Sequence, residues 1–360
     1  MLTMKEVQSF KYLYRGLKKS CRNVRWKPSV ISYESNSLKN TYLLKKRLDA
    51  GKYKPSQYQT FQIHEPKERT IKATKIIDRQ FQHSLCDNLV YECFAKSLIT
   101  DTCACIVGRG VDYCLDRITH HLVQINRGGG SWWVLKCDVG HYFDSIDHDV
   151  AKAAVRKRVP DGDAVRYINQ IIDSFGPVGI GLGSQLSQLI ANAVLDDLDH
   201  YIKEQLRIRH YIRYMDDFVL MHENKEYLQE CKNKIRIWLK DHKLRMNPKS
   251  CIYPLDQGIK MLHWHFYIKP SGKILRRMEC ERPAKQRQKL LSMAGKESHG
   301  ELPHGTTFLT HSAWMENTRK GNTYMVRKQM HNFYNDKILE ELQYDQSNTR
   351  RTDSRPGKKT

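Results

Sequence analysis

Two adjacent carboxylates, Asp216 and Asp217, stand at the centre of HYIRYMDDFVLMH (210–222), with apolar, β-rich runs on either side. Branched and aromatic residues make each run a short strand, and the acids fall where the strands meet, so the segment predicts a hairpin charged at its bend. Neighbouring carboxylates repel one another and lose solvation near a core, so this arrangement requires a compensating cation. A chain built around it must gather oxygen ligands at a strand edge. The sequence also contains a control: Asp196-Asp197 lies in ANAVLDDLDHYIKEQL, where helical spacing predicts an ordinary solvated helix face.

A third carboxylate, Asp138, ends WWVLKCD (132–138), an apolar run that follows the glycine-rich NRGGGS (126–131) and reads as a buried strand. Joining the two strand ends would assemble an oxygen site suited to Mg²⁺. Two such ions can activate a primer 3′-hydroxyl and stabilise leaving pyrophosphate, which is the chemistry of nucleotidyl transfer. The competing reading is that of surface acids at strand ends. Zinc is a poorer fit, because neither Cys103-x-Cys105 with His120-His121 nor His263 with His265 has the spacing of the common fingers and ribbons.

Charge points to the partner. Lysine and arginine number 61 against 39 acids, a formal net charge of +22, which predicts a polyanion, with nucleic acid ahead of an anionic membrane surface. A chain of 360 residues, 40% hydrophobic and 28% charged, can fold into roughly two to three lobes of about 150 residues. No stretch is apolar enough to span a membrane, and the charged N-terminus lacks the pattern of a secretory signal. The expected location is the cytoplasm, with the ten dispersed cysteines reduced.

Along the chain, residues 1–55 read as a basic helical extension, with apolar stripes through Phe10, Leu13, Tyr14 and Leu17 and through Leu38, Tyr42, Leu43 and Leu48. YQTFQIHEPKERTIKAT alternates around Glu65-Pro66-Lys67 as a hairpin would. GPVGIGLGSQLSQ (176–188) is a glycine-punctuated loop entering a helix, a helix follows from Glu226 to about Lys243, and a hairpin is expected through Cys251 to Ile268. Residues 269–289 are rich in Lys and Arg, 312–342 read as basic helix, and the last fifteen or so residues read as a flexible basic tail.

Tyr214-Met215-Asp216-Asp217 together with DVGHYFD (138–144) resembles the paired active-site motifs of reverse transcriptases. The chain order agrees: IHEPKERTI (63–71) and Asp78-Arg79 resemble fingers motifs, LGSQLSQ (182–188) the loop before the palm helix, and LRMNPKS (244–250) the later palm segment. The resemblance covers about residues 30 to 335. It implies an α+β right-hand polymerase of reverse-transcriptase type. The expected parts are the extension (1–55), fingers (56–130), palm with an interleaved fingers segment (131–268), helical thumb (269–345) and tail (346–360).

The implied activity is RNA-directed DNA synthesis from dNTPs with two Mg²⁺ ions, for which Mn²⁺ could substitute. Asp138 and Asp216 would be the metal ligands and Asp217 a supporting carboxylate. Phe143 matches the aromatic gate that clashes with a ribose 2′-hydroxyl, or else is a core aromatic. Arg69 and Lys67 match basic residues that hold the triphosphate, where Arg offers a planar fork and Lys a point charge. Gly183 and Gln188 belong to the nucleotide-side loop. Lys249 resembles a lysine that meets pyrophosphate, or is a turn lysine after Asn247-Pro248. Trp314, Tyr324, Arg319 and Lys320 fit a thumb helix on the duplex or simple helix packing.

Two departures from the family pattern stand out. Leu182-Gly183 and Ser187-Gln188 replace the common Gln-Gly and Ser-Pro, a form that resembles diversity-generating retroelement enzymes and neighbouring bacterial reverse transcriptases, some of them active in phage defence. Loss of the amide at Leu182 argues against assuming high fidelity. MLHWHF (261–266) stands where a Phe-Leu-Gly-like primer grip is usual. With no nuclease domain expected after the thumb, the implied partners are an RNA template, by expectation a cognate noncoding RNA, the DNA product, and an accessory protein or second copy. The rival function is a catalytically idle RNA-binding, maturase-like scaffold.

Overall fold

Alternating apolar residues along the chain produce nine strands among the described residues of this computed structural model, which are 2–63 and 68–342. The strands are β1 (Gln59–Ile63), β2 (Arg69–Ala73), β3 (Trp133–Asp138), β4 (His210–Tyr214), β5 (Asp217–His222), β6 (Cys251–Pro254), β7 (Ile259–Met261), β8 (Trp264–Ile268) and β9 (Ile274–Met278). They form three sheets, β1-β2, β4-β5-β3-β6 and β7-β8-β9. Contacts divide the chain into two units: residues up to Ile118 with Gly130–Tyr253, and Thr119–Gly129 with everything from Pro254 onward.

In the first unit, β3 and β4 flank β5 in antiparallel register; β4 and β5 are buried along most of their length and β3 along half of it. Helix Gln185–His200 contributes Leu186, Leu189, Ile190, Ala193 and Val194 to the core that also takes in Leu135, Phe218 and Leu220. Asp196 is not on a solvated face. Its side chain is buried against the equally buried Arg158, which donates to it at 2.7 Å and to Asp197 at 2.8 Å. Sequence spacing places Asp196 on a helix, but the guanidinium that neutralises it comes from a helix far away in sequence, His148–Arg158.

The N-terminal helices belong to this same unit. Helix Phe10–Ser20 buries Leu13 and Leu17 of the expected stripe, leaves Phe10 and Tyr14 half-buried, and also buries Gly16 and Ser20. Helix Ser37–Asp49 buries Leu48 of the expected stripe, but its other buried positions are Thr41 and Leu44, and Leu38, Tyr42 and Leu43 are exposed. Gln80 is the reason: its amide donates to Thr41 Oγ1 at 2.9 Å and to the Leu13 carbonyl at 3.1 Å, so a polar position turns inward. Tyr53, just after these helices, is buried and donates to Asp78 at 2.8 Å.

The second unit is described by itself. The single hairpin expected over 251–268 is divided: β6 joins the four-stranded sheet, while β7 and β8 pair around Leu262-His263. Both turn residues have positive φ, +51 and +66, as a two-residue turn matched to strand twist demands. The basic helix expected over 312–342 is also interrupted. Helices Thr306–Thr318 and Tyr324–Phe333 are separated around Gly321, where a Cβ would lie 2.2 Å from the Trp264 ring. Trp314 is buried, whereas Tyr324 is exposed on the second helix. No described helix is long and apolar enough to cross a membrane, and all ten cysteines are free thiols.

Candidate active site

The three sequence-selected carboxylates meet at one end of the four-stranded sheet. Asp138, the last residue of β3, pairs in register with Asp217, the first of β5, and Asp216 occupies the two-residue turn between β4 and β5. Like charges directly opposite on paired strands destabilise a sheet, so the register concentrates repulsion at this edge. The turn is anchored across the sheet, where the Val139 amide donates to the Asp216 carbonyl at 3.3 Å.

Burial pushes the Asp216 carboxyl up to about 6, and Asp138, within hydrogen-bonding reach, together with Asp217 pushes the same way. Burial also raises Asp217, opposed by Lys136, whose Nζ stands 3.5 Å from Asp217 Oδ2. Asp217 Oδ1 is buried with no hydrogen-bond partner among the described residues. An unpartnered buried carboxylate oxygen beside two further acids suits a divalent cation. No described group of three or more His, Cys, Asp or Glu side chains forms a protein-only metal cage.

Asp138 borders two cavities. One, about 600 Å³, is lined by Asp138, Asp216, Phe143 and Leu182, with Gln62 and Thr70 from the β1-β2 hairpin. The other, about 320 Å³, is lined by Asp138, Asp217, Lys136 and Lys249. Asn247 lines both. Its amide donates to Asp138 Oδ2 at 2.6 Å and its backbone N–H to the Asp138 carbonyl at 2.7 Å, fixing the orientation of that carboxylate. The sequence reading missed Asn247, although it lies inside LRMNPKS, because a lone Asn before Pro is also an ordinary turn residue.

Phe143 follows a left-handed residue, His141 at φ +49, and the buried Tyr142, whose hydroxyl donates to the Ala191 carbonyl at 2.6 Å. Its ring is half-buried and borders the larger cavity. The glycine loop runs alongside: Gly179 has φ +83, and a Cβ there would meet the Asp144 carbonyl at 2.8 Å. Gly183 adopts φ +105 close to Ile71 of β2. Lys72 of β2 donates to the Phe175 carbonyl at 2.5 Å, tying the hairpin to this loop.

Gln188 does not line the carboxylate cavities; it accepts from Cys105 Sγ at 3.6 Å and lines a separate cavity of about 410 Å³. Arg69 begins β2 opposite Ile63. Lys67 lies outside the described residues.

Residues 52–265, more than half of the chain, match the family described as reverse transcriptase (RNA-dependent DNA polymerase). The chain belongs to the reverse transcriptase family, and its matched domain is that of a nucleotidyltransferase. A stretch of 107 residues is 26% identical to Protein YkfC of Escherichia coli (strain K12), covering 27% of this chain and 28% of that protein. Apo telomerase from Candida tropicalis matches with a TM-score of 0.50 at 11% identity, over 82% of this chain and 59% of that one. The same telomerase truncated from its C-terminal domain matches at 0.48 and 12% identity, over 67% and 60%. This chain therefore spans less than two thirds of each relative, and the 0.50 match bears on the fold, a mixed helix-and-sheet architecture.

Proposed function

We propose that this protein is an RNA-directed DNA polymerase in which Asp138, Asp216 and Asp217 hold two Mg²⁺ ions. The observation that carries this reading is the meeting of the three acids at one sheet end: Asp138 and Asp216 line a cavity of about 600 Å³, and Asp138 with Asp217, which has an unpartnered buried oxygen, lines a second of about 320 Å³. In this reading the β1-β2 hairpin acts as fingers, the four-stranded sheet as palm and the helices after Glu281 as thumb. Bound Mg²⁺ supplies activation of the primer hydroxyl and neutralisation of the pyrophosphate charge.

The remaining chemistry belongs to side chains of this chain. Asn247 orients Asp138, and the Phe143 ring blocks a ribose 2′-hydroxyl. Arg69 and Lys67 hold the triphosphate, Leu182 borders the incoming nucleotide, and Lys249 meets the pyrophosphate charge. Gly183 keeps the loop close to the hairpin, and Gln188 is exposed beside Cys105, apart from the two carboxylate cavities. The template is a cognate structured noncoding RNA of a bacterial retroelement or antiphage system, with an accessory protein or second copy as partner, in the cytoplasm.

The test is to purify the protein with the RNA it retains, sequence that RNA, and add Mg²⁺ with labelled dNTPs beside Asp216→Ala. Labelled DNA complementary to the bound RNA, lost in Asp216→Ala while RNA binding persists, is the expected result. Bound RNA without Asp216-dependent synthesis would replace this reading with an RNA-binding scaffold.

A further inference from the structure

We propose that Arg213 is a positioning residue for this reaction, holding the Met215-Asp216 turn from beneath and so setting where the Asp216 carboxylate stands. The inference rests on the polymerase reading above. Arg213 lies in β4, three residues before Asp216, and its side chain is fully buried. A buried guanidinium must be paired and hydrogen-bonded on every side.

Asp199 provides the pairing. Arg213 Nε donates to Oδ1 at 2.7 Å and Nη2 to Oδ2 at 2.6 Å, a two-pronged match of fork to carboxylate. Asp199 accepts two more bonds, from the Tyr211 hydroxyl at 2.6 Å and Thr102 Oγ1 at 2.7 Å, so its position is set independently of Arg213. Nη1 points the other way. It donates to Asn192 Oδ1 at 3.1 Å and to the Met215 carbonyl at 3.0 Å. Asn192 is itself fixed by donating to the Ala104 carbonyl at 2.7 Å.

Met215 is where such a hold is needed. It sits at φ +56, a conformation that a non-glycine residue keeps only when its surroundings enforce it. The peptide carrying the Met215 carbonyl leads directly into Asp216, whose own carbonyl accepts from Val139. Asp216 is thus held at both peptides, by Arg213 before it and by Val139 after it. Because Asp199 neutralises Arg213, the effect on the turn is geometric. A lysine could keep the charge and the pairing with Asp199, but a point charge cannot serve Asp199, Asn192 and the Met215 carbonyl together.

Two variants separate positioning from folding. Arg213→Lys retains the charge, and Arg213→Gln combined with Asp199→Asn removes both buried charges at once, avoiding an unpaired one. In folded protein, below each thermal midpoint, kcat and the dNTP KM are measured beside hydrogen exchange of the Val139 and Leu135 amides. The expected result is a loss of kcat per folded molecule of at least about tenfold, the scale of a lost bond to a charged donor, with KM changed less than about threefold. Val139 exchange should accelerate while Leu135 stays as in wild type. Wild-type kcat per folded molecule, or failure of both variants to fold, would assign Arg213 to the fold alone and overturn the proposal. If the wild-type protein makes no DNA, the polymerase reading fails separately, and an unchanged Val139 exchange rate then overturns the positioning claim.

Discussion

The dipeptides Asp196-Asp197 and Asp216-Asp217 have the same composition and opposite chemistry. In the first, Arg158 reaches the buried Asp196 and cancels its charge within the protein. In the second, Lys136 is 3.5 Å from one oxygen of Asp217, and Asp216 is left raised to about 6, by burial first and by its acidic neighbours after that. The folded protein therefore binds a proton at Asp216 more tightly than the unfolded chain does. The resulting stabilisation is present below the ordinary value of 3.8 and is lost as pH rises through about 6. With metal chelated, the difference in thermal midpoint between wild type and Asp216→Asn should shift against the wild type from pH 4 to 7, and Mg²⁺ should reverse that shift. A pH-independent difference would show that Asp216 is already compensated. Sequence spacing could single out Asp216, because a turn between apolar strands is a local pattern. It misjudged Asp196, because the compensating arginine is local only in space.

At the scale of elements, the strands around the acids were legible: WWVLKCD forms β3 and HYIRYMDDFVLMH forms β4 and β5. Helix faces were less so. Helix Phe10–Ser20 packs on helix Ile76–Leu85 so closely that a Cβ on Gly16 would lie 2.3 Å from the Gln80 carbonyl oxygen and 3.2 Å from the Ser84 nitrogen. The same pair is fastened by Gln80 Nε2 donating to the Leu13 carbonyl at 3.1 Å, so the helices cannot separate without breaking that bond. Gly16→Ala should gain about 1 kcal/mol of helix propensity and lose more to overpacking, for a net destabilisation of about 1–2 kcal/mol. Urea unfolding measures it, and a stabilised variant would refute the close approach. The buried edge of helix Ser37–Asp49 follows the same rule, since a hydrogen bond from Gln80 to Thr41 outweighs the apolar stripe.

For the whole molecule, an excess of 61 basic over 39 acidic residues predicts that the RNA binding proposed above is a counterion-release process. Affinity for RNA should fall at least about a hundredfold between roughly 50 and 200 mM salt, in wild type and Asp216→Ala alike. Filter binding across a salt series checks this, and a flat response would remove the electrostatic argument for a nucleic-acid partner. The β7-β8-β9 sheet belongs to the second unit together with Thr119–Gly129, because Arg276 of β9 donates to Thr119 Oγ1 at 2.9 and 3.1 Å and to the Lys320 carbonyl at 3.1 Å.

By itself the sequence determined the family, the strand-end carboxylates and the basic character, since each is carried by residue types at short spacing. Tertiary structure alone decided which carboxylates are neutralised by protein, which side of a helix is buried, that Asn247 orients Asp138, and that Arg213 lies beneath the Asp216 turn. Those outcomes depend on partners brought together by packing, and the free energy of a buried charge or amide is set by the neighbours it meets rather than by its place in the chain.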